Sequence, residues 1–288
     1  MFRKPLILAL ILLALATLAC RISVDLPINE IKTGPTQTED INIPLLKETG
    51  AVADVELAFG AGRLNISPGA VGQLVSGTAT YNVAELKPKI TTEGTNVRIA
   101  QDRSRFEGIP NFGDNLKNTW DLEFSDAPMN LRIAAGAYQG RIELGGLSLY
   151  NLRVSDGAAE SQISFSEPNQ VEMETLRYET GASKITLTGL ANANFGEMIF
   201  KGGAGDYRLE FSGDLQRNTT VSVQSGLSNV VISVPDGTAA RLSIQGGLAN
   251  VDMRGSWQKS GDNYLLSGVG PMITITVDMG AGNLELNN

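Results

Sequence analysis

Acid–base chemistry in this chain has to come from carboxylates, because its 288 residues include no histidine. That removes Ser-His-Asp and Cys-His nucleophiles, histidine metal sites and any histidine pH switch. A single cysteine, Cys20, leaves no internal disulfide and no Cys-rich metal cluster. The densest run of charge is Gln101-Asp102-Arg103-Ser104-Arg105-Phe106-Glu107. A glycosidase needs two carboxylates about 5 to 9.5 Å apart, and a solvated strand end carries the same residues as such a cluster. Gly60-Ala-Gly62 and Gly203-Ala-Gly205 lack the further Gly and following helix of a dinucleotide loop, and the Gly-Lys-Ser/Thr of a P-loop. No catalytic residue, metal site or cofactor is assigned.

Recognition chemistry has more to work with. Trp257 and Tyr264 flank Gln-Lys-Ser-Gly-Asp-Asn, a hairpin-like arrangement that either caps an open end or offers aromatic faces to a ligand. They are the candidate interaction residues. The charge balance, 31 Asp+Glu against 23 Lys+Arg, and the 6% aromatic content argue against nucleic acid as a partner.

The N-terminus speaks to location. Arg3 and Lys4 precede an uncharged, Leu-, Ile- and Ala-rich run from Pro5 to Ala19, the order of a secretory leader. The run is shorter than the roughly 20 residues that span a bilayer. Ala16-Thr17-Leu18-Ala19-Cys20 resembles the lipobox of bacterial lipoproteins, with Thr17 where Leu is usual. The resemblance implies cleavage before Cys20 and acylation of its sulfur. Residues 1–19 are then a signal peptide and 20–48 a lipid-anchored tether, punctuated by Pro27, Pro35 and Pro44. Membrane lipid is the expected partner of Cys20, and the location is extracytoplasmic, on the bacterial cell membrane or outer membrane. Loss of Arg3 and Lys4 makes the net charge of −8 more negative still, so no second, electrostatic membrane contact is expected.

Something must carry the remaining residues, and the pattern beyond residue 50 is one of short strands. Apolar and polar residues alternate in Arg63-Leu-Asn-Ile66, Lys184-Ile-Thr-Leu187 and Arg241-Leu-Ser-Ile244. A seven-residue unit recurs: GAGRLNI at Gly60, GASKITL at Gly181, GAGDYRL at Gly203, GLSNVVI at Gly226, GLANVDM at Gly247 and GAGNLEL at Gly280, with looser copies near Gly136 and Gly157. The starts from Gly181 to Gly247 are 22, 23 and 21 residues apart. Such a period holds two strands and two turns, and one unit cannot bury its apolar row without neighbours. Glycine at each start fits a corner needing positive φ or close backbone approach.

This predicts an all-β fold, a β-solenoid stacked like a single-stranded β-helix, with a less regular β-rich N-terminal part. A hairpin-connected β-sandwich is the alternative. The N-terminal part is placed at 49–125 and the repeat-built part at 126–288. Inward rows are expected at Leu64/Ile66, Ile185/Leu187, Leu209/Phe211, Val230/Ile232, Leu242/Ile244, Val251/Met253 and Leu284/Leu286. The fourth repeat position, Arg63, Lys184, Asp206, Asn229, Asn250 and Asn283, is expected to include an asparagine ladder.

Glu56–Ala70, Gly181–Leu190 and the closing Gly261–Leu286 together resemble the bacterial toast-rack proteins, adhesin-like envelope proteins related to the C-terminal domain of cell-wall-active antibiotic response proteins. The resemblance implies stacked short strands and an envelope adhesion, scaffold or interaction role, with an envelope protein or glycan as partner and no catalytic motif to carry over. A polysaccharide-acting lyase or glycosidase, or a glycan-binding module, is the competing function.

Overall fold

The computed structural model describes residues 33–48, 50–101, 115–246, 248–261 and 263–288. Cys20 with its leader, Asp102–Glu107 and Gly247 lie outside the described residues.

Among the described residues there are seventeen strands and one short 3-10 helix, Ala84–Leu86. Six long strands carry the architecture: β2 (Ala53–Pro68), β7 (Met129–Glu143), β10 (Met173–Thr188), β11 (Phe195–Glu210), β12 (Thr219–Ser233) and β17 (Gly268–Asn287). Each folds sharply at its glycine. Phe200 and Tyr207 of β11 sit on either side of that corner with ring centroids 4.9 Å apart, where seven residues of straight strand would span about 23 Å. The two halves of every long strand therefore form two facing walls over a shared core. One contiguous apolar cluster runs from Ile41 to Leu286.

Neighbouring rungs pair in parallel and in register: β2 with β7, β10 with β11, β11 with β12, β12 with β17. Between β7 and β10 lies a rung split at its corner into β8 (Leu149–Ser155) and β9 (Ala158–Ser164). β8 pairs with the first halves of β7 and β10, and β9 with the second halves. These four strands close into a small barrel-like ring of pairings, to which the other strands attach.

Glycine starts each corner because the backbones nearly touch. A Cβ on Gly136 would lie 2.4 Å from the Gly60 carbonyl oxygen, one on Gly181 2.3 Å from that of Gly157, and one on Gly203 2.5 Å from that of Gly181. Gly60, Gly136, Gly157, Gly181, Gly203, Gly226 and Gly280 thus form one spine. Close approach, not positive φ, is the requirement there. The positive φ belongs two residues on, as at Gly205 (φ 151°), where a Cβ would also strike the Ser183 carbonyl oxygen. On the opposite side, return turns are tied by side-chain amides: Asn169 bonds the Leu149 backbone in both directions, and Asn192 donates to the Phe165 carbonyl while accepting from the Asp214 N–H.

The expected simple solenoid needs correction at both ends. β17, last in the chain, inserts between β12 and the pair β13 (Gly237–Gln245) and β14 (Leu248–Met253). Likewise β2, an early strand, lies between β7 and the pair β5 (Asn96–Gln101) and β6 (Asn118–Phe124). The local pattern makes every unit equivalent, so stacking order is settled by which apolar rows fit.

Antiparallel strands finish the ends. β4 (Pro88–Glu93) covers β5, and β3 (Gln73–Tyr81) covers β6. β16 (Asn263–Leu266), backed by β15 (Gln258–Ser260), covers β13. Residues 37–44, assigned from sequence to the tether, form β1 (Gln37–Pro44) against β3. Ile41 and Ile43, 0% and 1% exposed, draw this segment into the core, and each buried Ile is worth about 1.5–3 kcal/mol. The expected inward rows are buried except along the outer rim, where Ile244 and Val251 are partly covered and Met253 is 44% exposed.

Candidate functional site

Outward side chains repeat at each rung, so the parallel register arranges them in columns along both walls. On the second wall one column reads Arg63, Gln139, Glu160, Lys184, Asp206, Asn229, Asn283, Asn250. Its far end is the expected amide ladder: Asn229 Nδ2 donates to Asp206 Oδ1 at 2.9 Å, and Asn283 Nδ2 to Asn229 Oδ1 at 3.0 Å. The adjoining column runs Asn65, Arg141, Gln162, Thr186. Four neighbouring strands thus present Arg63 and Asn65, Gln139 and Arg141, Glu160 and Gln162, Lys184 and Thr186. They line one hollow of about 550 Å³. A second hollow of about 650 Å³ shares Asn65, Arg141 and Gln162 and is bordered by Asp121 and Glu143.

The acids around this panel are engaged. Asn65 Nδ2 donates to Asp121 Oδ1 at 2.7 Å, and Lys184 Nζ lies 3.5 Å from Glu160. Burial pushes the Glu143 carboxyl up, but hydrogen bonds from Ser164, Ser166 and Gly145 outweigh it and hold the pKa below the usual range. Arg63 and Arg141 are exposed, with no ion pair among the described residues.

The first wall carries a different column, Arg98, Glu56, Arg132, Arg153, Arg177. Here Glu56 pairs with Arg98, while Glu179 takes both Arg153 and Arg177. Three of the four arginines of that stripe are thus in ion pairs, and Arg132 is in none among the described residues.

A cluster of perturbed titratable groups sits at the split corner. Asp156 accepts hydrogen bonds from Tyr178 at 2.7 Å, from Thr180 and from Ser183. Burial raises its pKa despite those bonds. Burial also pushes the Tyr138 hydroxyl, which bonds Ser161, up to about 12. This cluster turns inward beneath the glycine spine and braces the corner. No periodic signal marked it, because other rungs place Ala135, Gly202 or Ser225 at the same level.

Trp257 and Tyr264 are each 6% exposed. Trp257 Nε1 donates to the Asn287 carbonyl at 3.1 Å, and Lys259 Nζ lies 5.6 Å over the Tyr264 ring. Trp257 thereby fastens the hairpin to β17, while Tyr264 on β16 lies opposite Leu242 of β13. Among the described residues no group of three or more acidic, Cys or His side chains is placed to hold a metal.

No curated protein matches the chain. A candidate cell adhesion protein from Clostridium sporogenes superposes with TM-score 0.49 at 18% identity, over 88% of this chain and 99% of that one. A candidate adhesin from Bacteroides fragilis gives 0.47 at 12%, over 88% and 97%. A candidate lipid binding protein from Parabacteroides distasonis gives 0.36 at 11%, over 89% and 99%. The family described as the N-terminal domain of toast_rack, DUF2154, matches residues 32–187, from just before β1 through the central ring almost to the end of β10. That span is more than half the chain, and the protein belongs to this toast-rack family.

Proposed function

We propose that the chain is a non-enzymatic interaction module of the bacterial cell envelope, held outside the cytoplasm by a lipid on Cys20. Its stacked body presents its outer walls to an envelope protein or glycan. The observation that carries this reading is the in-register array of outward side chains over β2, β7, β9, β10, β11, β12 and β17. A fixed scaffold bearing aligned polar columns suits broad surface recognition, whereas small-molecule sites are concave and mostly apolar. The leader and Cys20 support the anchor. Kinship with the C-terminal domain of cell-wall-active antibiotic response proteins belongs to the same proposal and rests on Gly261–Leu286.

The test has two arms. Cells expressing the chain incorporate radiolabelled palmitate and retain the protein in membranes, and Cys20→Ala loses both. Unchanged retention without label removes the anchor. The immobilised chain retains isolated envelope material, and failure to do so removes the interaction role. Release of reducing ends from that material would favour a glycosidase or lyase instead.

A further inference from the structure

The second-wall panel has a composition that selects its occupant. Its eight outward residues are all hydrogen-bonding or charged, and none is a large apolar or aromatic group. Protein interfaces rely on buried aromatic or apolar anchors, which are missing here. Single-stranded nucleic acid needs stacking platforms and a basic groove, and this chain has a net charge of −8. A surface of amides, guanidinium groups and a hydroxyl, with one Lys184–Glu160 ion pair at its edge, suits a ligand that is itself hydroxyl and carboxylate throughout.

Local charge then decides the class. Glu160 is paired with Lys184, and the bordering carboxylates of Asp121 and Glu143 are held by hydrogen bonds from Asn65 and from Ser164, Ser166 and Gly145, so Arg63 and Arg141 are the panel cations outside any ion pair among the described residues. They occupy adjacent strands and adjacent columns, with Gln139 opposite Arg63 and Gln162 opposite Arg141. A guanidinium offers a planar fork that matches a carboxylate. Four strands at about 4.8 Å spacing make the panel about 14 Å long, room for a few sugar rings in a row. On the first wall Arg98, Arg153 and Arg177 are already engaged by Glu56 or Glu179, and only Arg132 stands outside an ion pair, with no second free guanidinium beside it.

The geometry points to an acidic polysaccharide lying across the second wall, its carboxylates gripped by Arg63 and Arg141 and its hydroxyls by Asn65, Gln139 and Gln162. This assignment rests on the interaction-module reading and names its partner class. Because the whole molecule repels polyanions, retention of one reports a local site.

The probe is a set of galacturonate oligosaccharides and their methyl esters, titrated calorimetrically into the full chain. The acid form binds, and the ester, alike in shape but uncharged, binds at least about tenfold more weakly. Arg63→Gln and Arg141→Gln each weaken the acid form by about tenfold with unchanged melting curves, whereas Arg98→Gln on the other wall leaves binding intact. Equal binding of acid and ester, full affinity in the Arg63→Gln/Arg141→Gln double variant, or an equal loss in Arg98→Gln overturns the assignment. If galacturonate fails while immobilised chain still retains envelope material, the glycan class is wrong and the module reading stands. If both fail, both are wrong.

Discussion

Asp156 shows what single residues contribute that periodicity does not announce. Its carboxyl is stabilised by three hydroxyl donors and still ends with a raised pKa, because removal from water costs more than those bonds return. A carboxyl whose folded pKa lies above its unfolded one favours folding most below the unfolded value, about 3.9, and loses that contribution as pH rises through the folded value. Asp156→Asn is therefore expected to flatten this fall in denaturant-midpoint measurements across the mildly acid range, and to leave the protein at least as stable at pH 7. An unchanged slope would show that Asp156 does not titrate as its burial implies. Glu143 runs the other way, its lowered pKa adding stability that disappears as pH falls. Neither was legible in the sequence. Asp156 holds the position before the corner glycine that Phe59, Ala135 and Met279 fill in other rungs, so no repeat announces a carboxyl there, and Glu143 is bound by Ser164 and Ser166 one rung on. The asparagine ladder, by contrast, could be read directly, since identical residues at one repeat position must meet in a parallel register.

At the scale of the element, the corner glycines are where sequence and structure agree most closely. Their recurrence signalled a corner, and the coordinates supply the physical reason, a carbonyl of the rung below within 2.3 to 2.9 Å of the missing Cβ along most of the spine. Gly203→Ala should cost about 2–4 kcal/mol in chemical denaturation, as expected for a backbone displaced inside a packed stack. Gly237→Ala has nothing within 4 Å and only its φ of 83° to oppose it, so about 1–2 kcal/mol is expected. A Gly203→Ala variant as stable as the parent would mean the rungs are not in contact at the spine. Strand boundaries were less legible. Gly94 (φ 60°) turns residues 88–101 into the β4–β5 hairpin, a break that the strand-like residues on either side of it do not announce. Tyr81 hydrogen-bonds Gln37 and Glu39, a contact between segments too far apart for any local pattern to reveal.

The whole molecule is governed by stacking order. A period near 22 says that units repeat but not that they follow one another in space. β17 carries a repeat unit as good as any other, and it sits inside the stack, with β13 and β14 beyond it. The sequence held no sign of this, because Val251 and Met253 alternate as well as Leu284 and Leu286 do. Only exposure separates them: Leu284 and Leu286 are fully buried, whereas Met253 is not. The same logic places the candidate glycan panel. It lies on β2, β7, β9 and β10 around the central ring, where pairing on both sides holds each column in place. Spin labels on the outward second-wall column test the arrangement most directly. From Gln162, the register passes through Thr186, Arg208 and Val231 to Glu285 and then Asp252. Paired labels at 162 and 285 should lie about 19 Å apart at the backbone, and labels at 162 and 252 about 24 Å. A shorter distance to 252 than to 285 would mean the rungs follow chain order, and would contradict the inserted final strand on which this architecture depends.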